Sequence, residues 1–163
     1  SNKKIDKDGE IAKAGKVDQL ILNQAIDNFK INSYSQSFDI KNFDTSFARG
    51  LTLEDGCATI TDFTAYLIAQ GLEHVSQRES IIFLVCGGGR KNNILINYIN
   101  NYLSYKNKVN LEIIDKYNLN GDNIESQAFG FLAIRSFLNL PISFNSTTGC
   151  EGFSVGGKLV ENF

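Results

Sequence analysis

The chain has 163 residues, 42% of them hydrophobic, which is enough for one domain with a sizeable core. Its formal net charge of −2 and the lack of a basic stripe exclude a general nucleic-acid binder, since Lys3, Lys4 and Lys7 are offset by Asp6, Asp8 and Glu10. No apolar run reaches the roughly 17 residues that a membrane span needs, and the charged start lacks the apolar core of a signal peptide.

Residues 1–16 read as a loop or extension, with a turn signal at Lys7-Asp8-Gly9-Glu10. Val17, Leu20, Ile21, Gln24, Ala25 and Phe29 recur at helical spacing, predicting a helix over 17–29. Residues 30–50 are polar, irregular and dotted with aromatics, and Phe38, Phe43 and Phe47 are expected to pin them down. A loop of about 20 residues is long for a compact domain and often functional or interface-forming. Thr52 caps the next helix, and Glu54 and Asp55 suit its positive end. Its apolar positions run from Leu53 through Cys57, Ile60, Thr64, Leu67 and Ile68 to an end near Gly71.

Ile81-Ile82-Phe83-Leu84-Val85 is a buried strand, and Cys86-Gly87-Gly88-Gly89 leads directly into a helix over 91–104. Residues 109–114 form a second strand. Asp122-Asn123-Ile124-Glu125 is a capping-box pattern, opening a helix that runs to about Asn139 before Pro141 stops it. Alternating helices and strands imply parallel pairing through right-handed crossovers. Two strands against four helices make a poor core with open edges. Either short strands hide in 1–16, 30–50 or 150–160, or the sheet is completed by a segment outside this chain; the second reading is preferred.

The strand–glycine–helix junction carries the chemistry. It gathers free backbone N–H groups and a helix N-terminus at one spot, which suits phosphate or a nucleotide. Three consecutive glycines match neither dinucleotide nor P-loop signatures, and no Lys or metal-binding Ser/Thr closes the run, which argues against primary γ-phosphate chemistry. The alternative for Gly87, Gly88 and Gly89 is a tight turn needing positive φ. Asn92 or Asn93 either binds ligand or caps the helix. Glu125 and Asp122 read first as capping residues, with Glu125 also a candidate for touching nucleotide or organising its loop. Asp115, after the second strand, faces solvent or orients Mg²⁺ through water. Arg49 either contacts substrate or phosphate, or pairs with Glu54 or Asp55.

His74 is the sole histidine and reads as a solvated helix-end residue, so neither a zinc site nor a histidine triad has material. Cys57, Cys86 and Cys150 read as reduced thiols of a cytoplasmic protein, and Cys150 has no adjacent base to make it a nucleophile. Methionine is absent and the chain opens Ser1-Asn2, so it is expected to begin inside a longer gene product.

Taken together in order and spacing, several motifs resemble the C-terminal half of the anhydro-N-acetylmuramic acid kinase family. They are Asp6-Lys7-Asp8-Gly9-Glu10-Ile11-Ala12 with Gly15-Lys16-Val17, then Phe43, Arg49-Gly50-Leu51 and Asp55. Ala58-Thr59-Ile60-Thr61-Asp62-Phe63-Thr64-Ala65 is similar to the family's threonine-rich helix, with Thr61 and Thr64 expected to pack against backbone. Cys86-Gly87-Gly88-Gly89 with Asn92 or Asn93 is similar to its glycine-rich nucleotide loop. Asp122 to Phe129 resembles a D-x-x-E-A-x-A-F helix start, and Leu140-Pro141 with Thr148-Gly149 a closing motif. The chain departs from a P-P-K-S-T-G-R-like family segment, reading Ser33-Tyr34-Ser35-Gln36-Ser37-Phe38-Asp39 there, without the basic residues.

The resemblance implies an α/β fold: an incomplete ribonuclease-H-like, actin-like ATPase lobe, with parallel strands flanked by helices and its N-terminal antiparallel strands missing. Residues 1–163 would form the nucleotide-side lobe, with 1–50 a helix and long loop extension and 51–163 the α/β core. It further implies ATP and Mg²⁺ as cofactors, and Gly87, Gly88, Gly89, Asn92 and Glu125 as nucleotide-side residues. The family's reaction opens the anhydro bridge of 1,6-anhydro-N-acetylmuramic acid with water and phosphorylates the oxygen on carbon six, in peptidoglycan recycling. The catalytic Asp and first phosphate loop of the family lie in the N-terminal half, so the chain alone is expected to be inactive, and a homodimer is plausible through an open apolar edge. The alternatives are a non-catalytic nucleotide-binding or protein-interaction remnant, or a structural domain that pairs through its sheet edge.

Overall fold

A computed structural model of the chain describes residues 5–29, 40–76, 80–104 and 109–157. Its helices are α1 (Glu10–Ala14), α2 (Gln19–Asn28), α3 (Leu53–Val75), α4 (Asn93–Leu103), α5 (Ile124–Phe137) and α6 (Asn145–Thr148). Its strands are β1 (Ile81–Val85) and β2 (Val109–Ile113). The architecture is α/β with a two-stranded parallel sheet, Ile81 opposite Val109 and Val85 opposite Ile113. Most boundaries predicted from periodicity fall within two residues of these, the usual slack at helix and strand ends.

Helix α3 is the spine. Ala58, Ala65 and Ala69 are fully buried, and their small side chains let neighbours come close. Ala65 and Ala69 pack against Ile99 and Leu103 of α4, with Val109 and Leu111 of β2 closing the cluster. Further along α3, Phe63 packs with Leu22 and Ala25 of α2. The Phe63 ring meets Phe29 and Phe47 edge-on, at centroid separations of 5.6 and 5.2 Å. Phe43 stacks on Phe29, so Phe43 and Phe47 do pin their segment, while Phe38 and residues 30–39 lie outside the described residues. Asp62 of α3 is buried and accepts a 2.7 Å hydrogen bond from the Tyr102 hydroxyl of α4; burial pushes its carboxyl pKa up.

The N-terminal stretch is more structured than its composition suggested. A 3-10 turn over Lys7–Gly9 runs into α1. The Asp6 carboxylate accepts the N–H groups of Ile11 and Ala12 at 2.7 and 3.1 Å, satisfying orphan donors of that short helix. Gly15 lies against the backbone of Glu54, where any Cβ would overlap it, so α1 docks on the start of α3. Asp55 fixes the same junction by accepting the Lys16 N–H at 2.8 Å and the Asp55 N–H is in turn capped by Thr52 at 3.1 Å. The capping role of Thr52 is as the sequence predicts. The α3 helix continues past Gly71 to Val75, because a glycine inside a helix lowers its stability without breaking it.

Among the described residues, β1 pairs only with β2, leaving its other edge open. Ile82 (53% exposed) and Leu84 project on the uncovered face of the sheet. Helix α5 likewise shows Phe129, Phe131, Ile134 and Phe137 to solvent. No hidden strand in the described parts of 1–16, 30–50 or 150–160 joins the sheet; the sole extra pairing is an isolated antiparallel bridge between Ser143 and Ser154. No helix among the described residues is long and apolar enough to cross a membrane.

Candidate functional site

The site forms where β1 ends. Gly87 has φ 76° and ψ −177°, a region that is essentially restricted to glycine. Its N–H donates to the Gly121 carbonyl at 2.9 Å, tying the turn to the segment before α5. A 3-10 turn over Gly88–Lys91 then leads to α4. Gly88 and Gly89 are exposed and lack the positive φ of Gly87. A Cβ on Gly88 would meet nothing within 4 Å, and one on Gly89 only Leu95 Cδ2 at 3.9 Å. The turn-geometry explanation therefore accounts for Gly87 alone. At Gly88 and Gly89 the missing side chain leaves the backbone bare toward solvent.

Asn92 caps α4: its Oδ1 accepts the Leu95 N–H at 3.0 Å. The same amide sits against Gly9, where any Cβ would overlap it, so Asn92 also seats the N-terminal turn. Asn93 is exposed as the first residue of α4. Glu125 is exposed in the first turn of α5.

Arg90 is the residue that sequence reasoning missed. It is 7% exposed, the one buried basic side chain among the described residues. Its Nε donates to Asp115 Oδ2 at 2.7 Å and its Nη2 to Asp115 Oδ1 at 3.2 Å, a fork grip on one carboxylate. Nη1 donates to Asp122 Oδ1 at 2.6 Å and to the Gly87 carbonyl at 2.9 Å. Lys91 Nζ adds a 2.8 Å contact to the other oxygen of Asp122. The guanidinium lies on Gly121, which has no room for a Cβ. Hydrogen bonds from Arg90 and Lys91 hold the Asp122 carboxyl far below the usual carboxylate range, and Arg90 also lowers that of Asp115. The available signal was an arginine directly after the glycines with acidic residues just past β2 and just before α5.

This network corrects one expectation. Asp122 does not cap α5: the N-cap is Asn123, with no side-chain cap bond, because the Asp122 carboxylate is taken by Arg90 and Lys91. Asp115 takes the fork grip of Arg90 and still leaves 44% of its side chain exposed, so it faces solvent, one of the two readings expected. Arg49 does not pair with Glu54 or Asp55; its charge acts on Asp44, whose carboxyl pKa is lowered chiefly by hydrogen bonds from Ser46. Thr64 donates back to the Ile60 carbonyl at 2.8 Å, as a backbone-packed threonine should. His74 is exposed near the end of α3, and all three cysteines are free. The Ser143 hydroxyl lies 3.6 Å from Cys150 Sγ, and hydrogen bonds from Thr148 and Ser143 lower that thiol's pKa.

Beside the turn, an apolar groove of about 320 Å³ lies between β1 and the helices α3 and α4, lined by Ile68, Leu72, Phe83, Val85, Leu95 and Ile99 among others. Parallel strands with helices packed on them and a bare glycine turn at a strand's carboxyl end define an α/β domain of the kind that takes ligands at that edge. The anhydro-N-acetylmuramic acid kinase family model matches residues 1–161, and the chain belongs to that family. It is 50% identical to an anhydro-N-acetylmuramic acid kinase of Pelagibacter ubique over 98% of this chain and 44% of that protein. It is 34% identical to one of Rhizobium rhizogenes, over 96% of this chain and 41% of that protein. It is 33% identical to an anhydro-N-acetylmuramic acid kinase 2 of a Jannaschia species, over 95% of this chain and 40% of that protein. The chain thus spans less than half the length of these relatives.

Proposed function

We propose that this chain is the C-terminal, nucleotide-side part of an ATP-dependent kinase that converts 1,6-anhydro-N-acetylmuramic acid to N-acetylmuramic acid 6-phosphate, a cytoplasmic step of peptidoglycan recycling. Its lobe has the ribonuclease-H-like arrangement, and residues 51–163 are its core. The observation that carries the reading is the bare backbone of Gly88 and Gly89, which neither turn geometry nor internal packing requires. Gly87 aims the turn, Gly88 and Gly89 admit the ribose and phosphate side of the nucleotide, Asn92 fixes the helix behind them, and Glu125 borders the site from α5. ATP supplies the phosphoryl group that the sugar receives. Mg²⁺ accompanies the nucleotide phosphates, and Glu125, exposed in the first turn of α5, is the carboxylate assigned to face it.

The rest of the site belongs to an N-terminal part that the relatives' greater length leaves room for. The open edge of β1 and the exposed Ile82 and Leu84 fit further structure contributed from there. Calorimetric titration of the chain with Mg-ADP tests the nucleotide role. Saturable micromolar binding is expected. Absence of binding in a sample with native circular dichroism and a cooperative melt would overturn the assignment of the glycine turn in this chain.

A further inference from the structure

We propose that Arg90 is the positioning residue of this site, a clamp that holds the glycine turn and the first turn of α5 in one fixed relation. The inference rests on the nucleotide reading above for its functional meaning, and on geometry for the clamp itself. Three chain segments distant in sequence converge on one guanidinium: the turn through the Gly87 carbonyl, the end of β2 through Asp115, and the entry to α5 through Asp122. A second strut, the Gly87 N–H to the Gly121 carbonyl, joins the turn and the α5 entry directly.

A buried charge is costly unless paired and hydrogen-bonded, so removing one partner leaves the others under-satisfied. The guanidinium fork suits this junction because its donors are fixed in one plane and reach two carboxylates and a carbonyl at once. Gly121 must be bare for the plane to lie on it. The remainder of α5 offers little alternative hold, since Phe129, Phe131, Ile134 and Phe137 are all exposed, the last at 72%. The placement of Glu125 relative to Gly88 and Gly89 is therefore set mainly at the N-terminal end of α5, by Arg90. A ligand that orders the turn must also order that end of the helix.

The test compares the full chain with Arg90→Lys, Asp122→Asn and the double variant, by amide hydrogen exchange and by Mg-ADP titration. Lysine keeps the charge but cannot hold all three partners. Exchange at 87–91 and in the first turn of α5 should rise together, by about tenfold in each single variant, with α3 and α4 unchanged. The double variant should be no looser than the singles, because both act on one clamp. Mg-ADP affinity should fall by a similar factor. Loosening of the turn with α5 still protected, no loosening at either place, or protection lost evenly across α3 and α4 would each overturn the clamp. If the unaltered chain binds no Mg-ADP, the nucleotide reading fails by itself, and the exchange pattern still decides the role of Arg90.

Discussion

Two residues of the glycine run differ in what they demand. Gly87 needs its hydrogen for backbone reasons, since φ 76° with ψ −177° is closed to other residues. Gly88 needs it for none that the chain supplies. Gly88→Ala is therefore expected to leave folding stability within about 0.5 kcal/mol of the parent, because its Cβ points into open space. The same substitution should weaken Mg-ADP binding roughly tenfold by interposing a methyl group, a difference of about 1.4 kcal/mol. A thermal melt and a titration on one preparation check both halves. Equal affinity for parent and variant would mean that ligand does not approach Gly88.

At the scale of elements, junctions rather than helices are where single polar groups matter. Thr59 of α3 is fully buried. Its hydroxyl accepts the Asp18 N–H at 3.0 Å and donates to the Asp55 carbonyl at 2.8 Å. Asp18 is itself the N-cap of α2, accepting the Ile21 N–H at 3.0 Å. Thr59→Val keeps the shape but strands the Asp18 N–H, and is expected to cost about 1–3 kcal/mol in a denaturant titration. The Arg90 junction makes a pH prediction. The carboxyls of Asp115 and Asp122 titrate lower folded than unfolded, so at acid pH the unfolded chain binds more protons. Their stabilisation is complete above the unfolded carboxylate pKa and is lost as pH falls through the folded values, from about pH 5 downward. Melting temperature should thus drop on acidification, with a shallower slope in Asp122→Asn.

At the scale of the whole molecule, the described residues leave apolar surface uncovered on one side of the sheet and along α5. One face of the β1–β2 ribbon is packed by α3 and α4, while Ile82 and Leu84 on the other face and much of α5 are uncovered. Large contiguous exposed apolar areas mark surfaces that meet another segment or chain. If an N-terminal part supplies the catalytic Asp, as the family resemblance implies, this chain incubated alone with the anhydro sugar, ATP and Mg²⁺ will form no sugar phosphate. Mass spectrometry of the products checks this, and accumulation of N-acetylmuramic acid 6-phosphate would refute it.

The sequence by itself determined both strands, the long helices and the cap at Thr52, because short apolar runs, helical spacing and capping chemistry are local. It also determined the glycine turn as the place to look, since apolar strand, glycines and helix lie consecutively. It left α1 unread, because five residues carry no periodicity and that helix stands on Asp6 and on the close approach at Gly15. Only the tertiary structure decided what Asp122 does. Its spacing to Glu125 is that of a helix cap, but Arg90, 32 residues earlier, supplies a charge-assisted bond at 2.6 Å that a neutral backbone N–H does not match. Only the fold, too, separated Gly87 from Gly88 and Gly89, since three identical letters hide one positive φ and two open faces. Local patterns are set by residues a few positions apart, whereas the partner of a charge and the space around a glycine are set by what folding brings beside them.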